Sequence, residues 1–158
     1  MSRWLLLPFL LGLTACGSKP PYEGKSVAEL ERMLRQSDPT VQTEAAIGLG
    51  KLGPAAKPAL PALIEALKNP EPLVRQSVAA ALGQMGPDAR NAVPALTAAL
   101  RDSAWAVRRQ AALTLAKIGP DARPAIPALE KLTADPEPLV RQAAREALAV
   151  LQRGPSGK

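Results

Sequence analysis

Apolar side chains return along this chain with the period of a helix. Val74, Val78, Ala81, Leu82 and Met85 fall at i, i+4, i+7, i+8 and i+11, which puts them on one stripe of an α-helix. That stripe is written four times. Val41, Val74, Val107 and Val140 stand 33 residues apart, and so do Gly53, Gly86 and Gly119, each followed by proline. Pro61, Pro94 and Pro127 keep the step, as do Leu63, Leu96 and Leu129. The heptad PEPLVRQ is spelled identically at 70–76 and 136–142, two periods apart. A self-similar period of this length marks stacked supersecondary units.

Each unit predicts two helices. Pro72 suits the first turn of the first helix, where a missing N–H costs nothing, and Gly86-Pro87 ends it with a left-handed glycine and a residue that cannot continue. Pro94 opens the second helix, PALTAAL, with Val93, Leu96 and Leu100 turned inward. Asn69, Asp102 and Asp135 lie just past each second helix and are placed to cap the next first helix. Alanines at 45, 46, 79, 80, 111 and 112 let neighbouring helices approach closely. One pair cannot hide its own stripe, so the expected fold is an all-α solenoid in which each pair is buried by its neighbours.

The period divides the chain into a half repeat at 26–36, repeats at 37–69, 70–102 and 103–135, and a terminal half repeat at 136–152, followed by a tail at 153–158 read as disordered. SVAELERMLRQ aligns with a lone second helix, Leu30 matching Leu63 and Leu34 matching Leu67. Arg145 and Glu146 occupy slots that hold Ala79/Ala80 and Ala112/Leu113 inside the array, so both ends read as polar caps of one short superhelix. Outer positions of the second helices (Glu31/Arg32, Ile64/Glu65, Thr97/Ala98, Glu130/Lys131) are expected to line the concave face, with mixed charge and no aromatic row.

The acidic-Pro-x-Val-Arg start, the Ala-Ala pair, Leu-Gly-x-Met/Ile-Gly-Pro and the Pro-Ala-Leu opening resemble HEAT repeats, in particular the short subclass named after phycobilisome-lyase-like proteins. Copy one departs from the pattern, with Gln42 in the arginine slot. The resemblance implies a right-handed α-solenoid of helix pairs with a 33-residue period over residues 26–152. It implies no particular function, because the repeat serves many.

The first sixteen residues follow another rule. MSRWLLLPFLLGLTAC has one basic residue, Arg3, an apolar run from Leu5 to Leu13 and small residues before Cys16, the layout of a secretory signal over 1–15. Its end, LTAC, resembles the lipobox of bacterial lipoproteins. In that family the cysteine receives a diacylglyceryl group, the leader is cut before it, and the new amino terminus is acylated. Cys16 is the sole cysteine, so an exported chain has no disulfide partner for it within itself. Two or three acyl chains would hold the protein firmly where one would not. Gly17, in place of an aspartate, favours outer-membrane delivery by the same resemblance, and residues 16–25 read as a short polar tether.

Composition removes most chemistry. The full chain carries 20 Lys/Arg against 14 Asp/Glu; losing Arg3 leaves 19 against 14, formally +5. Histidine is absent, the acids are scattered, and glycine occurs as Gly-Pro punctuation and not as a phosphate loop, so no catalytic or metal-binding set is expected. HEAT-type enzymes are the alternative. Deoxyhypusine hydroxylases hold two irons on His-Glu pairs, which nothing here can supply, and bilin lyases sit poorly with an exported, lipid-anchored chain. Nucleic acid is not an expected partner.

What remains is charge and one aromatic. Arg75, Arg108 and Arg141 recur at the starts of first helices, and as repeat-invariant residues they are expected to tie successive repeats through an acid or a loop carbonyl, Asn69, Asp102 and Asp135 standing six positions earlier. Lys57, Arg90 and Arg123 form a second ladder, either solvated charge or an anion-binding edge for polymer or lipid headgroups. Trp105 replaces the proline of its siblings; it could anchor a partner or pack over the adjacent loop. The sequence therefore leads to a lipoprotein of the cell envelope with no cofactor beyond the lipid on Cys16, whose solenoid binds or scaffolds a protein partner.

Overall fold

The computed structural model describes residues 20–153, and within them every regular element is helical. Four long helices alternate with four short ones: α1 (Val27–Leu34), α2 (Pro39–Leu52), α3 (Leu60–Ala66), α4 (Pro72–Met85), α5 (Val93–Ala99), α6 (Trp105–Ile118), α7 (Ile126–Leu132) and α8 (Pro138–Gln152). The long helices begin 33 residues apart. Stretches of 3-10 helix, Gly53–Ala59, Gly86–Ala92 and Pro120–Ala125, connect α2, α4 and α6 to the short helix that follows. The fold is an α-solenoid.

Local chemistry sets the boundaries. Proline stands at the first turn of α2, α4 and α8. Gly53, Gly86 and Gly119 end the long helices with φ of 54°, 57° and 82° and ψ of −128°, −131° and −144°. This is not the left-handed helical cap that the Gly-Pro pairs suggested. It is the mirror image of extended backbone, which side chains with a Cβ essentially never adopt. The helix starts also differ from expectation. Asn69, Asp102 and Asp135 do not cap from the N-cap position; each side chain accepts from the N–H two residues on, at Glu71, Ala104 and Glu137, all at 2.9 Å. These are Asx turns that shape the loop before the helix. Asp38, in copy one, is a true N-cap and accepts from Thr40.

Packing follows the stripe. Val74, Val78, Ala81, Leu82 and Met85 are all between 0% and 2% exposed. The long helices contact their successors along their length, and each short helix packs on the long helix after it, whereas successive short helices barely touch. Small residues allow the close approach: a Cβ on Gly50 would stand 3.1 Å from the Ala81 Cα. Thr114, the buried hydroxyl of this seam, donates to the Ala79 carbonyl at 2.7 Å. The long helices are thus the closely spaced layer of the stack and the short helices the open one.

At the far end, Arg145 and Glu146 are exposed while the matching Ala79 and Ala112 are fully buried. At the near end, α1 carries a complete capping box, Ser26 and Glu29 satisfying each other's backbone N–H. Residues 20–25, read from composition as tether, fold back onto the first repeat in a turn closed by Glu23 N–H donating to the Pro20 carbonyl at 2.8 Å. The leader 1–15, Cys16 and the rest of the tether through residue 19, and tail residues 154–158, lie outside the described residues.

Candidate binding face

The arginine ladder holds the scaffold on which the surface rests. Arg75 donates to both carboxylate oxygens of Asp102 at 2.7 Å and to the carbonyls of Asn69 and Pro70 at 2.7 and 2.8 Å. Arg108 repeats this, reaching both oxygens of Asp135 at 2.7 and 2.9 Å and the carbonyls of Asp102 and Ser103. So the loop six positions earlier supplies carbonyls, and the carboxylate comes from the loop that leads into the next repeat, Asp102 and Asp135 being the last residues of their own. Bidentate fork geometry of this kind is what arginine offers and lysine does not. Arg141 binds only its own loop carbonyls, Asp135 and Pro136. In copy one the rung is neutral: Asn69 donates to Gln42 at 2.9 Å, and Gln42 donates to the Gln36 carbonyl at 2.6 Å.

The rungs are electrostatically tuned. The Arg108 guanidinium, reinforced by the Glu137 N–H and opposed by burial, holds the Asp135 carboxyl below its usual range. Burial alone would raise Asp102, but Arg75 and the Ala104 N–H outweigh it and the net shift is downward. Hydrogen bonding to these carboxylates raises Arg75 and Arg108 correspondingly.

The second ladder is not a uniform basic edge. Lys57 pairs with Asp88 of the next repeat at 2.9 Å, with more than a third of each side chain exposed. Arg123 donates to the Leu151 carbonyl at 3.2 Å, while Arg90 is exposed and Asp121 stands at the position matching Asp88. Such surface pairs contribute little stability, about 0–1 kcal/mol. Trp105 is 43% exposed at the first turn of α6.

The strongest feature of the surface is one that repeat-invariant positions could not reveal. The large apolar side chains left exposed are Ile47 and Leu52 on α2, Leu73 on α4, Trp105 on α6, and Leu139 and Val150 on α8. All sit on long helices. Ile47, Ala80 and Leu113 form one row across α2, α4 and α6; Lys51, Gln84 and Lys117 form the next row. Between α2 and α4 a groove of about 400 Å³ is lined by Ile47, Gly50, Lys51, Ser77, Ala80 and Gln84 among others. The short-helix side instead exposes Arg32, Glu65, Lys68, Arg101, Glu130 and Lys131. The signal was available: slots 47/80/113/146 and 51/84/117/150 change from copy to copy, whereas the stripe slots 41/74/107/140, always valine, and 49/82/115/148, always leucine, do not. Among the described residues, no three carboxylate or thiol side chains gather as a metal-holding group, and no helix is long and apolar enough to cross a membrane.

Known proteins place this architecture. Human deoxyhypusine hydroxylase is 32% identical with a TM-score of 0.66, the match covering 85% of this chain and 46% of that one. The complex of CpcE and CpcF of phycocyanin lyase from Nostoc sp. PCC7120 is 24% identical with a TM-score of 0.59, covering 87% of this chain and 70% of that one. A designed armadillo repeat protein in complex with the peptide (KR)4 is 19% identical with a TM-score of 0.69, covering 79% and 64%. The last two likenesses show fold alone. The chain spans 62%, 46% and 66% of the first three solved structures it matches. No curated protein matches it. The family described as HEAT repeats matches residues 27–90 and 60–149, which together run through all eight helices. The chain belongs to the HEAT-repeat family.

Proposed function

We propose that this protein is a lipoprotein of the bacterial cell envelope, anchored through acyl groups on Cys16 and delivered to the outer membrane, whose solenoid binds a protein partner through its long-helix face. The observation that supports this most is the placement of the exposed large apolar residues: Ile47, Leu73, Trp105, Leu139 and Val150 all lie on the long-helix layer, with Lys51 and Lys117 beside them. Apolar and aromatic groups bordered by charge are the composition of an interface core and its rim. Tethering raises the effective concentration for partners on the same membrane.

We assign no catalytic role, no metal and no cofactor beyond the lipid. Similarity to a hydroxylase does not supply the chemistry, since a chain without histidine lacks the His-Glu pairs that the resemblance would require. Anion binding through Lys57, Arg90 and Arg123 is the weaker reading, because Asp88 and Asp121 share that edge.

Two measurements test the proposal. Cys16→Ala is expected to move the protein from the membrane to the soluble fraction; a variant that still fractionates with membrane removes the anchor. A photo-crosslinker at Ile47 or Leu73 in intact envelopes is expected to give a discrete adduct, lost on adding Ala80→Glu. Adducts formed only from Lys68 and Arg101, on the short-helix side, would refute the binding face.

A further inference from the structure

Tyr22 is isolated in the sequence and belongs to no repeat, yet it is built into the first one. Its Cβ lies where Gly48 leaves room: a Cβ on that glycine would stand 2.7 Å from the Tyr22 Cβ and 2.9 Å from the Leu30 Cδ2. The matching slots hold Ala81, Thr114 and Ala147, so the slot is reduced to glycine in the one repeat that Tyr22 covers. Lys51 Nζ donates to the Tyr22 hydroxyl at 2.7 Å and stands 4.7 Å from the ring centroid. A cation over the face of an aromatic ring is attracted to its quadrupole. Gly24, at φ 76°, turns the chain from Tyr22 back into α1. Residues 20–25 therefore form a clasp.

The clasp changes where the anchor can hold the array. Between Cys16 and Tyr22 lie six residue steps, a reach of at most about 20 Å; a free tether from Cys16 to Ser26 would have ten steps and reach about 35 Å. Pro20 and Pro21 shorten the freedom further, since each fixes its own φ. Resting on the lipid anchor proposed above, we infer that Tyr22 clasps the anchor segment to the first repeat, so that the α1–α2 end of the array is held against the lipid surface and the array projects away from it. Helices pack about 8–10 Å apart, which carries α8 roughly 25–30 Å farther from the bilayer than α2. The groove between α2 and α4 then faces partners that are themselves membrane-resident or present a membrane-proximal segment.

The test uses the lipidated mature protein, beginning at Cys16, in phosphatidylethanolamine vesicles containing a dansyl-headgroup lipid, with Trp105→Phe removing its native tryptophan. Single reporters, Ala28→Trp on α1 and Val150→Trp on α8, occupy exposed positions at the two ends. Energy transfer is expected to be stronger from position 28 than from 150, and Tyr22→Ala is expected to shrink that difference. Lys51→Met, which keeps the ring, is expected to shrink it less, and circular dichroism on each variant keeps unfolding separate from unclasping. Equal transfer from both ends in the clasped protein, or a difference unchanged in Tyr22→Ala and Lys51→Met, overturns the inference. If the protein stays in solution and neither reporter transfers, the lipid anchor itself fails and takes the inference with it.

Discussion

The charged rung between Arg108 and Asp135 can be replaced by chemistry the protein already uses. Copy one closes its junction with Gln42 and Asn69, and Arg108→Gln with Asp135→Asn writes that neutral rung into the third junction. Arg108→Gln alone leaves the Asp135 carboxylate, 6% exposed, with only the Glu137 N–H as partner. Removing one member of a fully buried pair costs about 3–5 kcal/mol; with both side chains partly wetted, about 2–3 kcal/mol is expected here. Asp135→Asn alone keeps the Asx turn but leaves the guanidinium short of its counter-charge, at about 1–2 kcal/mol, the worth of a charge-assisted bond over a neutral one. In the double variant an amide pair can form, so the combined loss is expected to stay near 1 kcal/mol, a coupling of roughly 2–4 kcal/mol. Urea unfolding followed by circular dichroism measures each corner of the cycle, and each kcal/mol moves Tm by about 4 °C. Additive single losses, with no coupling, would refute the view of Arg108 and Asp135 as one fastener.

Two further outcomes follow from the same geometry. Asp102 and Asp135 titrate below their unfolded values, so their contribution is fully present above the unfolded carboxylate range, about pH 4, and is lost as pH falls through their folded values. Acid titration of stability should show a drop below pH 4 that is smaller in the Arg108→Gln/Asp135→Asn protein; an identical drop in both would place the acid sensitivity elsewhere. Gly119→Ala meets open space, with nothing within 4 Å of the new Cβ, so its cost is backbone conformation alone, about 1–3 kcal/mol at φ 82° and ψ −144°. A neutral substitution, read by thermal melting, would contradict the dihedral account.

The helical period was enough to locate α2, α4, α6 and α8, helped by proline at the start of α2, α4 and α8 and glycine at the end of α2, α4 and α6, each dictated by backbone geometry. Four things were not legible. The acid partner of Arg75 and Arg108 lies 27 residues ahead, in the loop that leads into the next repeat, and a pattern that recurs every 33 residues gives no hint of which loop each bonds. The turn residues Asn69, Asp102 and Asp135 sit three positions before the first helical residue, and only coordinates separate an Asx turn from an N-cap. The close spacing of the long-helix layer depends on how near the backbones come, which rests on Gly50 and Ala81 and not on the apolar stripe. Tyr22 escaped notice because it has no counterpart to be compared with.

The junctions are not equally fastened. Between copies one and two the rung is an amide pair; between two and three, and between three and four, it is a forked ion pair with two carbonyl ties. Compliance is therefore graded along the stack: under a bending load the α2–α4 joint yields first, and the segment from α4 to α8 moves as a lever arm. Amide hydrogen exchange would record this as earlier loosening at the first joint than at the later two.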